Sequence, residues 1–522
     1  MKSKRKATLS IVLLVFLSVW LGTARPAWAA DEASPISVNS TFARGTEGWR
    51  VSGNVHMEAI PGDASRHAIV LGPGAASIAQ TIAADARNHM MLTVVLHSTP
   101  AGIATVSVRF LDKDGHILMT LRSPEDIRPG KEADSLEDYF RPHPLTASIE
   151  LMISTEAPAG TVIVNRAELG VYHDDDPAVE STQDDAELMR PFWKGPLVSS
   201  EAVLLTSHNG EPATGTLMFQ PTKIVSVASY DGSTQYKEGK DYSVEGRTLM
   251  ALPHSRMSQV READLLHGEL AWNEIGGRQV LVSYEHSDAW TGPVQPSVAD
   301  QLPNTLRILR SRQRLQIVAY GDSITFGIGS SHMQKLRPYQ KPWVDLFAEQ
   351  LRKSWDDPDI TLLNASQSGA DSTWARSMAA RMVGTLHPDL VIVAFGQNDF
   401  WSLTADPFAG NISAVMSTIR QTNPQAEFLL VSTMRFNPAY SSNRMYWDRV
   451  TQYEAQLRAM TTQGVQLVDM TAISGAVFAA KAPMDCLNDP LHPNDYLSRW
   501  YAQSLLAALA NDPHDTAEGQ AK

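Results

Sequence analysis

Cysteine is nearly absent: Cys486 is the only one in 522 residues. No intrachain disulfide can form, even though an oxidising compartment would permit one. A lone thiol can act as a nucleophile or redox group, but Cys486 reads here as a small residue beside a loop that holds Asp485 and Asp489. Basic residues are also scarce. The 44 Lys and Arg face 57 Asp and Glu, for a net charge of −13. Lys2, Lys4, Arg5, Lys6 and Arg25 precede the first acidic residue, and without these five the charge is −18. Such a chain is repelled by nucleic acid and by anionic membrane surfaces. Apolar runs of spanning length are missing as well. The longest, at 11–21, falls short of the roughly 20 residues a membrane helix needs. It follows the basic residues 2–6 and precedes Ala27-Trp28-Ala29, the small-x-small pattern of a cleavable leader. The expectation is a signal peptide over 1–29, cut after Ala29, and a secreted or periplasmic protein with no stable membrane insertion. No cysteine stands near that point to take a lipid.

The length implies several domains. Residues 36–172 read as an all-β module. Segments such as 68–71, 91–96 and 104–110 are rich in β-branched residues and alternate with Gly, Pro and Asp turns. The spacing suggests a sandwich or jelly roll. Its ends, Gly48-Trp49 and the stretch 163–169, resemble those of carbohydrate-binding jelly rolls. Trp49 itself is expected in the core rather than stacked on a sugar. Residues 173–194 are acidic, with His173-Asp174-Asp175-Asp176 at their head. They lack a fixed ligand spacing and read as a solvated linker, not a metal site. Residues 195–295 read as a second, accessory β module, with strands expected at 217–219, 224–227 and 279–284 and a turn at Glu238-Gly239-Lys240-Asp241.

From residue 312 to 511 the pattern becomes α/β. Short apolar strands are expected at 315–320, 360–364, 390–395, 428–432 and 465–468. Between and after them lie helical spacings: Trp343, Leu346, Phe347 and Leu351 behind Pro342; Tyr446, Val450, Tyr453, Leu457 and Met460; and Leu497, Trp500, Tyr501, Leu505 and Leu509 behind an Asn494 cap. Short apolar strands alternating with helices imply a parallel sheet covered on both faces.

Four stretches in this region carry chemistry. Gly321-Asp322-Ser323 ends the first strand, and a serine there faces the crevice where open α/β sheets bind ligands. A serine needs a base to become a nucleophile. Gly369 follows the second strand, Gly396-Gln397-Asn398-Asp399 follows the third, and Asp489-Pro490-Leu491-His492 follows the last. A parallel sheet gathers all four on one edge. The Gly-x-Ser-x-Gly elbow of the common lipase fold is absent, since Thr325 stands at its last position.

This set resembles the SGNH branch of the GDSL esterase superfamily, over about 200 of the residues. The resemblance implies a flavodoxin-like three-layer α/β/α fold and ester hydrolysis, with no metal and no cofactor. It implies Ser323 as nucleophile, His492 as base and Asp489 as the acid that orients it. It also implies an oxyanion hole built from the Ser323 and Gly369 N–H groups and the Asn398 side-chain amide. Asp322 and Asp399 read as structural, and His387 as a loop residue. The expected substrate is an acylated carbohydrate, with acetyl as the expected acyl group. The alternatives are a lysophospholipase or lipase, a sugar O-acyltransferase, and a non-catalytic polysaccharide-binding protein.

Overall fold

The computed structural model describes residues 34–60, 63–86, 88–99, 101–122, 134–140, 142–173, 185–266, 275–334, 336–437 and 447–510. The leader and residues 174–184 of the acidic stretch, together with Tyr446, lie outside them. The chain divides after Asp174 into two units.

The first unit is all-β, as expected. Its strands join in one antiparallel sheet in the order Ile117–Arg122, Thr105–Leu111, Ser148–Thr155, Asp63–Ala83, Val162–His173, His89–Ser98 and Asp134–Phe140. Arg50–Ile60 adds to Asp63–Ala83, and Ser34–Pro35 to Val162–His173. The long strand Asp63–Ala83 changes partner along its length. Ile69, Val70 and Leu71 pair with Val164, Ile163 and Val162, whereas Ala76 to Ala83 pair with Thr155 to Ser148. The Gly72-Pro73-Gly74 interruption lies between the two pairings. Ile69, Leu71, Ile78, Val94, Phe110, Ile149, Leu151 and Ile153 fill the core. Trp49 belongs to it too: it is buried, with its ring 5.5 Å from that of Phe42.

The second unit begins with the accessory module. Leu197–Val203, Val280–His286 and Pro221–Ser229 form a three-stranded antiparallel sheet with Val280–His286 in the middle. A five-stranded sheet of short strands lies beside it in sequence, spanning Thr206–Ser207 to Val260–Arg261. The turn at 238–241 is present. The strand expected at 217–219 is not. The Met218 and Phe219 N–H groups donate instead to the Glu201 carboxylate at 2.8 Å and to the Tyr284 hydroxyl at 3.0 Å. Buried side chains satisfy that backbone, so it has no need of a ladder.

The α/β domain is a five-stranded parallel sheet: β1 (Leu315–Gly321), β2 (Ile360–Asn364), β3 (Leu390–Ala394), β4 (Glu427–Val431) and β5 (Val465–Val468). The order is β2-β1-β3-β4-β5, which is the flavodoxin-like order. Period-2 alternation sends side chains to both faces. Ile317, Ala319, Ile392, Leu429 and Val431 join one cluster with Trp343, Phe347, Trp500 and Tyr501 of the helices Trp343–Trp355 and Asp495–Leu509. The alternate residues Val318, Tyr320, Val391, Val393 and Leu430 are equally buried. On that face the Tyr320 hydroxyl donates to the Ala375 carbonyl, in helix Ser372–Met382. Among the described residues no helix is long and apolar enough to cross a membrane.

The accessory module and the α/β domain share this core. Val203, Leu217, Phe219, Val282 and Tyr284 belong to the same cluster as the sheet and its helices. The last helix shows the consequence. Its expected apolar stripe is buried, but Arg499 and Gln503 are buried too. Arg499 donates to the Ser199 and Ser200 carbonyls at 2.7 and 2.6 Å, and Gln503 accepts from the Phe192 N–H at 3.2 Å. Phe192 and Trp193, at the end of the acidic stretch, pack on Trp500.

Candidate active site

Ser323 is the first residue of a one-turn helix, Ser323–Phe326, that follows β1. A first-turn N–H has no partner within its own helix and points outward. Asp322 caps the turn: its Oδ1 accepts from Ile324 N at 3.0 Å, and its Oδ2 accepts from Gln397 N at 3.4 Å. Burial pushes the Asp322 carboxyl up to about 7, against hydrogen bonds from Ile324 and Gln397 and the charge of His492, which lower it.

His492 lies between Ser323 and Asp489. Its Nε2 is 3.0 Å from Ser323 Oγ, and its Nδ1 is 2.7 Å from Asp489 Oδ2. The other oxygen of Asp489 accepts the Leu491 and His492 N–H groups at 2.8 and 3.0 Å. Spacing explains this. A carboxylate three residues before the histidine can receive its backbone and its ring from one tight loop. The nearby carboxylates Asp485 and Asp495 are engaged elsewhere: Asp485 accepts from Leu204 N and Asp495 from Ser331 N. Burial alone would lower the His492 pKa, but the Asp489 carboxylate outweighs it and the imidazole is raised above its ordinary value. An imidazole so placed can take a hydroxyl proton while the carboxylate stabilises the resulting cation.

Gly369 lies in the turn after β2. The Ala370 N–H donates to the Gln367 carbonyl at 3.2 Å and Gly369 has φ +74°, the positive angle that the third residue of a type II turn requires. A Cβ built there would meet nothing within 4 Å. The backbone angle selects glycine, and the space beside it is open. The turn is tied to β1 by Gln367 N donating to the Gly321 carbonyl at 3.0 Å. Asn398, after β3, donates one hydrogen of its amide to the Ala370 carbonyl at 2.9 Å. An amide nitrogen carries two hydrogens, so one remains to be offered. Thus the glycine turn is hydrogen-bonded both to the end of β1 just before Ser323 and to Asn398.

The neighbours fall where expected. Asp399 braces the start of helix Ser372–Met382 by accepting Ser372 N at 2.9 Å. His387 sits in the loop before β3. Cys486 is buried, and burial raises its thiol pKa far above the ordinary value, which leaves it inert. Two contributors were not foreseen from sequence. Gly329, at φ +99°, lets the loop after Ser323 approach the histidine: a Cβ there would lie 2.3 Å from the Pro493 oxygen and 3.1 Å from His492 Cβ. Gln279, read only as a strand residue, reaches from the accessory module to the loop of Asp489 and His492. The Gly-x-Gly at 327–329 signalled a close approach, but nothing local to Gln279 announces its partners.

Residues 319–499 match the GDSL-like lipase/acylhydrolase family. No curated protein matches the chain. Among solved structures, the enzymatically active domain of tailspike protein 4 from bacteriophage CBA120 is 17% identical, with a TM-score of 0.24. The match covers 26% of this chain and 21% of that one, so this chain spans about a fifth of it. A mutant acetyl-xylooligosaccharide esterase from Geobacillus is 17% identical over 38% of this chain and 95% of its own, with a TM-score of 0.32. A two-domain esterase active on acetylated mannans is 20% identical over 42% of this chain and 56% of its own, with a TM-score of 0.34. The family match runs from within β1 into the last helix and so includes Ser323, Gly369, Asn398, Asp489 and His492. Residues 319–499 are therefore a GDSL-like lipase/acylhydrolase domain.

Proposed function

We propose that the chain is an exported serine esterase that removes short acyl groups, acetyl above all, from carbohydrate. The observation that carries the catalytic part is the placement of His492 within hydrogen-bond distance of both Ser323 Oγ and Asp489 Oδ2. His492 Nε2 takes the Ser323 proton as Oγ attacks the ester carbonyl. The carbonyl oxygen becomes an oxyanion, met by the N–H groups of Ser323 and Gly369 and the free hydrogen of Asn398. The tetrahedral adduct collapses, the protonated His492 gives its proton to the leaving alcohol, and an acyl-serine remains. Water then repeats the sequence with His492 as base, releasing the acid and restoring Ser323.

The carbohydrate part is supported by Trp401. It follows Asn398 in the turn Asp399–Trp401 and is 47% exposed, beside the buried Phe400. An exposed indole three residues after Asn398 offers a flat apolar face of the kind sugar rings stack on. The all-β unit is read as a jelly-roll-like glycan-binding module, and 1–29 as the leader that exports the chain.

A series of chromogenic esters of increasing acyl length, followed by acetate release from acetylated polysaccharides, tests the reading. Turnover should be greatest on acetyl esters, and acetate should be released from polymer. Preference for long acyl chains would make the protein a lipase or lysophospholipase instead. A purified Ser323→Ala variant with wild-type turnover would end the serine mechanism.

A further inference from the structure

Nine residues separate Cys486 from Asn494 inclusive, and Asp489 and His492 both lie among them. This loop closes on itself: Asn494 N donates to the Cys486 carbonyl at 3.0 Å and Asn488 N to the His492 carbonyl at 2.9 Å. Its mouth is held by a residue of the accessory module. Gln279 is buried, and its amide is used in full. Nε2 donates to the Met484 and Leu487 carbonyls at 2.7 and 2.8 Å, and Oε1 accepts from Asn494 Nδ2 at 2.8 Å. The module makes a fourth bond, from Gly276 N to the Asn488 carbonyl at 3.1 Å. Gly276 sits so close that a Cβ on it would lie 1.9 Å from Asn488 Oδ1.

The base of the loop is fastened to the same module by charge. Lys481 Nζ lies 2.5 Å from Glu201 Oε1 and 2.6 Å from the Ala202 carbonyl, all of it buried. Glu201 also accepts from the Tyr284 hydroxyl at 2.6 Å. A loop fastened at its stem by buried ions and at its mouth by a saturated amide has little freedom to shift its histidine.

The geometry points to Gln279 as a positioning residue: by clamping the Met484 and Leu487 carbonyls on one side of the loop and the Asn494 amide on the other, it holds Asp489 and His492 in register with Ser323. The inference rests on the serine mechanism proposed above. It makes the accessory module part of the esterase site rather than an appendage. An angstrom of misplacement in such a site costs up to about a hundredfold in rate.

Gln279→Met tests it in the full chain, because methionine matches the length and lacks the donors and the acceptor. The expected result is a folded enzyme whose kcat is lower by about tenfold to a hundredfold with KM little changed. The acid limb of its kcat/KM profile should move to lower pH, since a slackened loop weakens the hold of Asp489 on the His492 proton. A variant that melts earlier but keeps the wild-type kcat and acid limb while folded would overturn the inference. If Gln279→Met does not fold, Gln279→Asn, which keeps the buried site polar but is one methylene short of the Met484 and Leu487 carbonyls, is judged by the same two readouts. Labelling of the wild type with a serine-directed phosphonate separates the two levels. Failure to label Ser323 removes the serine mechanism, whereas labelling of Ser323 with an unaffected Gln279→Met variant removes only the role of Gln279.

Discussion

The Asn398 side-chain amide donates to the Ala370 carbonyl at 2.9 Å. This bond spends one of its two hydrogens on orientation and leaves the other directed from a fixed amide. A donor held in this way needs no reorganisation when charge develops on the substrate oxygen. Asn398→Ala should therefore lower kcat by about a hundredfold or more, with KM changed little. Steady-state kinetics on a small acetyl ester would check this. A loss confined to KM would place Asn398 in ground-state binding instead.

Ser323, His492 and Asp489 are linked in series, so their losses should not add. Ser323→Ala and His492→Ala should each remove nearly all turnover, and the double variant should be no worse than either. Asp489→Asn should cost less, because the ring keeps its contact with Ser323. A double-variant comparison in which the two single losses multiplied would show that serine and histidine act separately.

The pH profile follows from the same chain of bonds. Only neutral His492 can accept the serine proton, and Asp489 raises its pKa above the ordinary value. The rate should thus rise with pH, with the midpoint of the acid limb in kcat/KM above about 6.5, the ordinary histidine value. Asp489→Asn removes the charge responsible, so its residual activity should show a lower midpoint. An unmoved midpoint would assign the acid limb to another group.

Much of the site could be read from the sequence because it is local. The Gly-Asp-Ser turn, the glycine with φ +74°, and the carboxylate three residues before His492 each place chemistry through one short loop. The parallel strands were legible for the same reason, as compact apolar runs. What escaped was long-range. The backbone at 217–219 has strand composition but is satisfied by Glu201 and Tyr284. Gln279 and Arg499 look like ordinary polar positions until the accessory module and the last helix meet. The long strand Asp63–Ala83 carries its change of partner at Gly72-Pro73-Gly74, which reads in sequence as an ordinary turn.

Gly329 offers a test of close approach. Its φ of +99° and the 2.3 Å separation of a built Cβ from the Pro493 oxygen both oppose a side chain. Gly329→Ala must displace the Pro493 backbone or its own loop, and His492 stands next to both. The expected outcome is a loss of turnover larger than any loss of thermal stability would explain, read as kcat at a temperature well below the melting midpoint. Wild-type kcat in that variant would show that the loop yields without moving the histidine.

Asp399 makes stability depend on pH in a direction opposite to that of a salt-bridged acid. Burial raises its carboxyl from 3.8 to about 7, against the lowering effect of the bonds from Ser372. Oδ1 accepts from Ser372 N, while Oδ2 has no hydrogen-bond partner among the described residues. Between these two values the folded chain keeps a proton that the unfolded chain has released, so stability from this group is complete at low pH and declines as pH rises through about 7. Asp322 and Asp485, also pushed up to about 7 by burial, contribute to the same decline. Asn in place of Asp399 keeps the acceptor for Ser372 N and cannot ionise. The melting temperature of Asp399→Asn should therefore gain on that of the wild type as pH is raised from 4 to 8, whatever the offset at low pH. Parallel melting curves across that range would mean that Asp399 is ionised in the folded protein from the start, with a partner for its second oxygen.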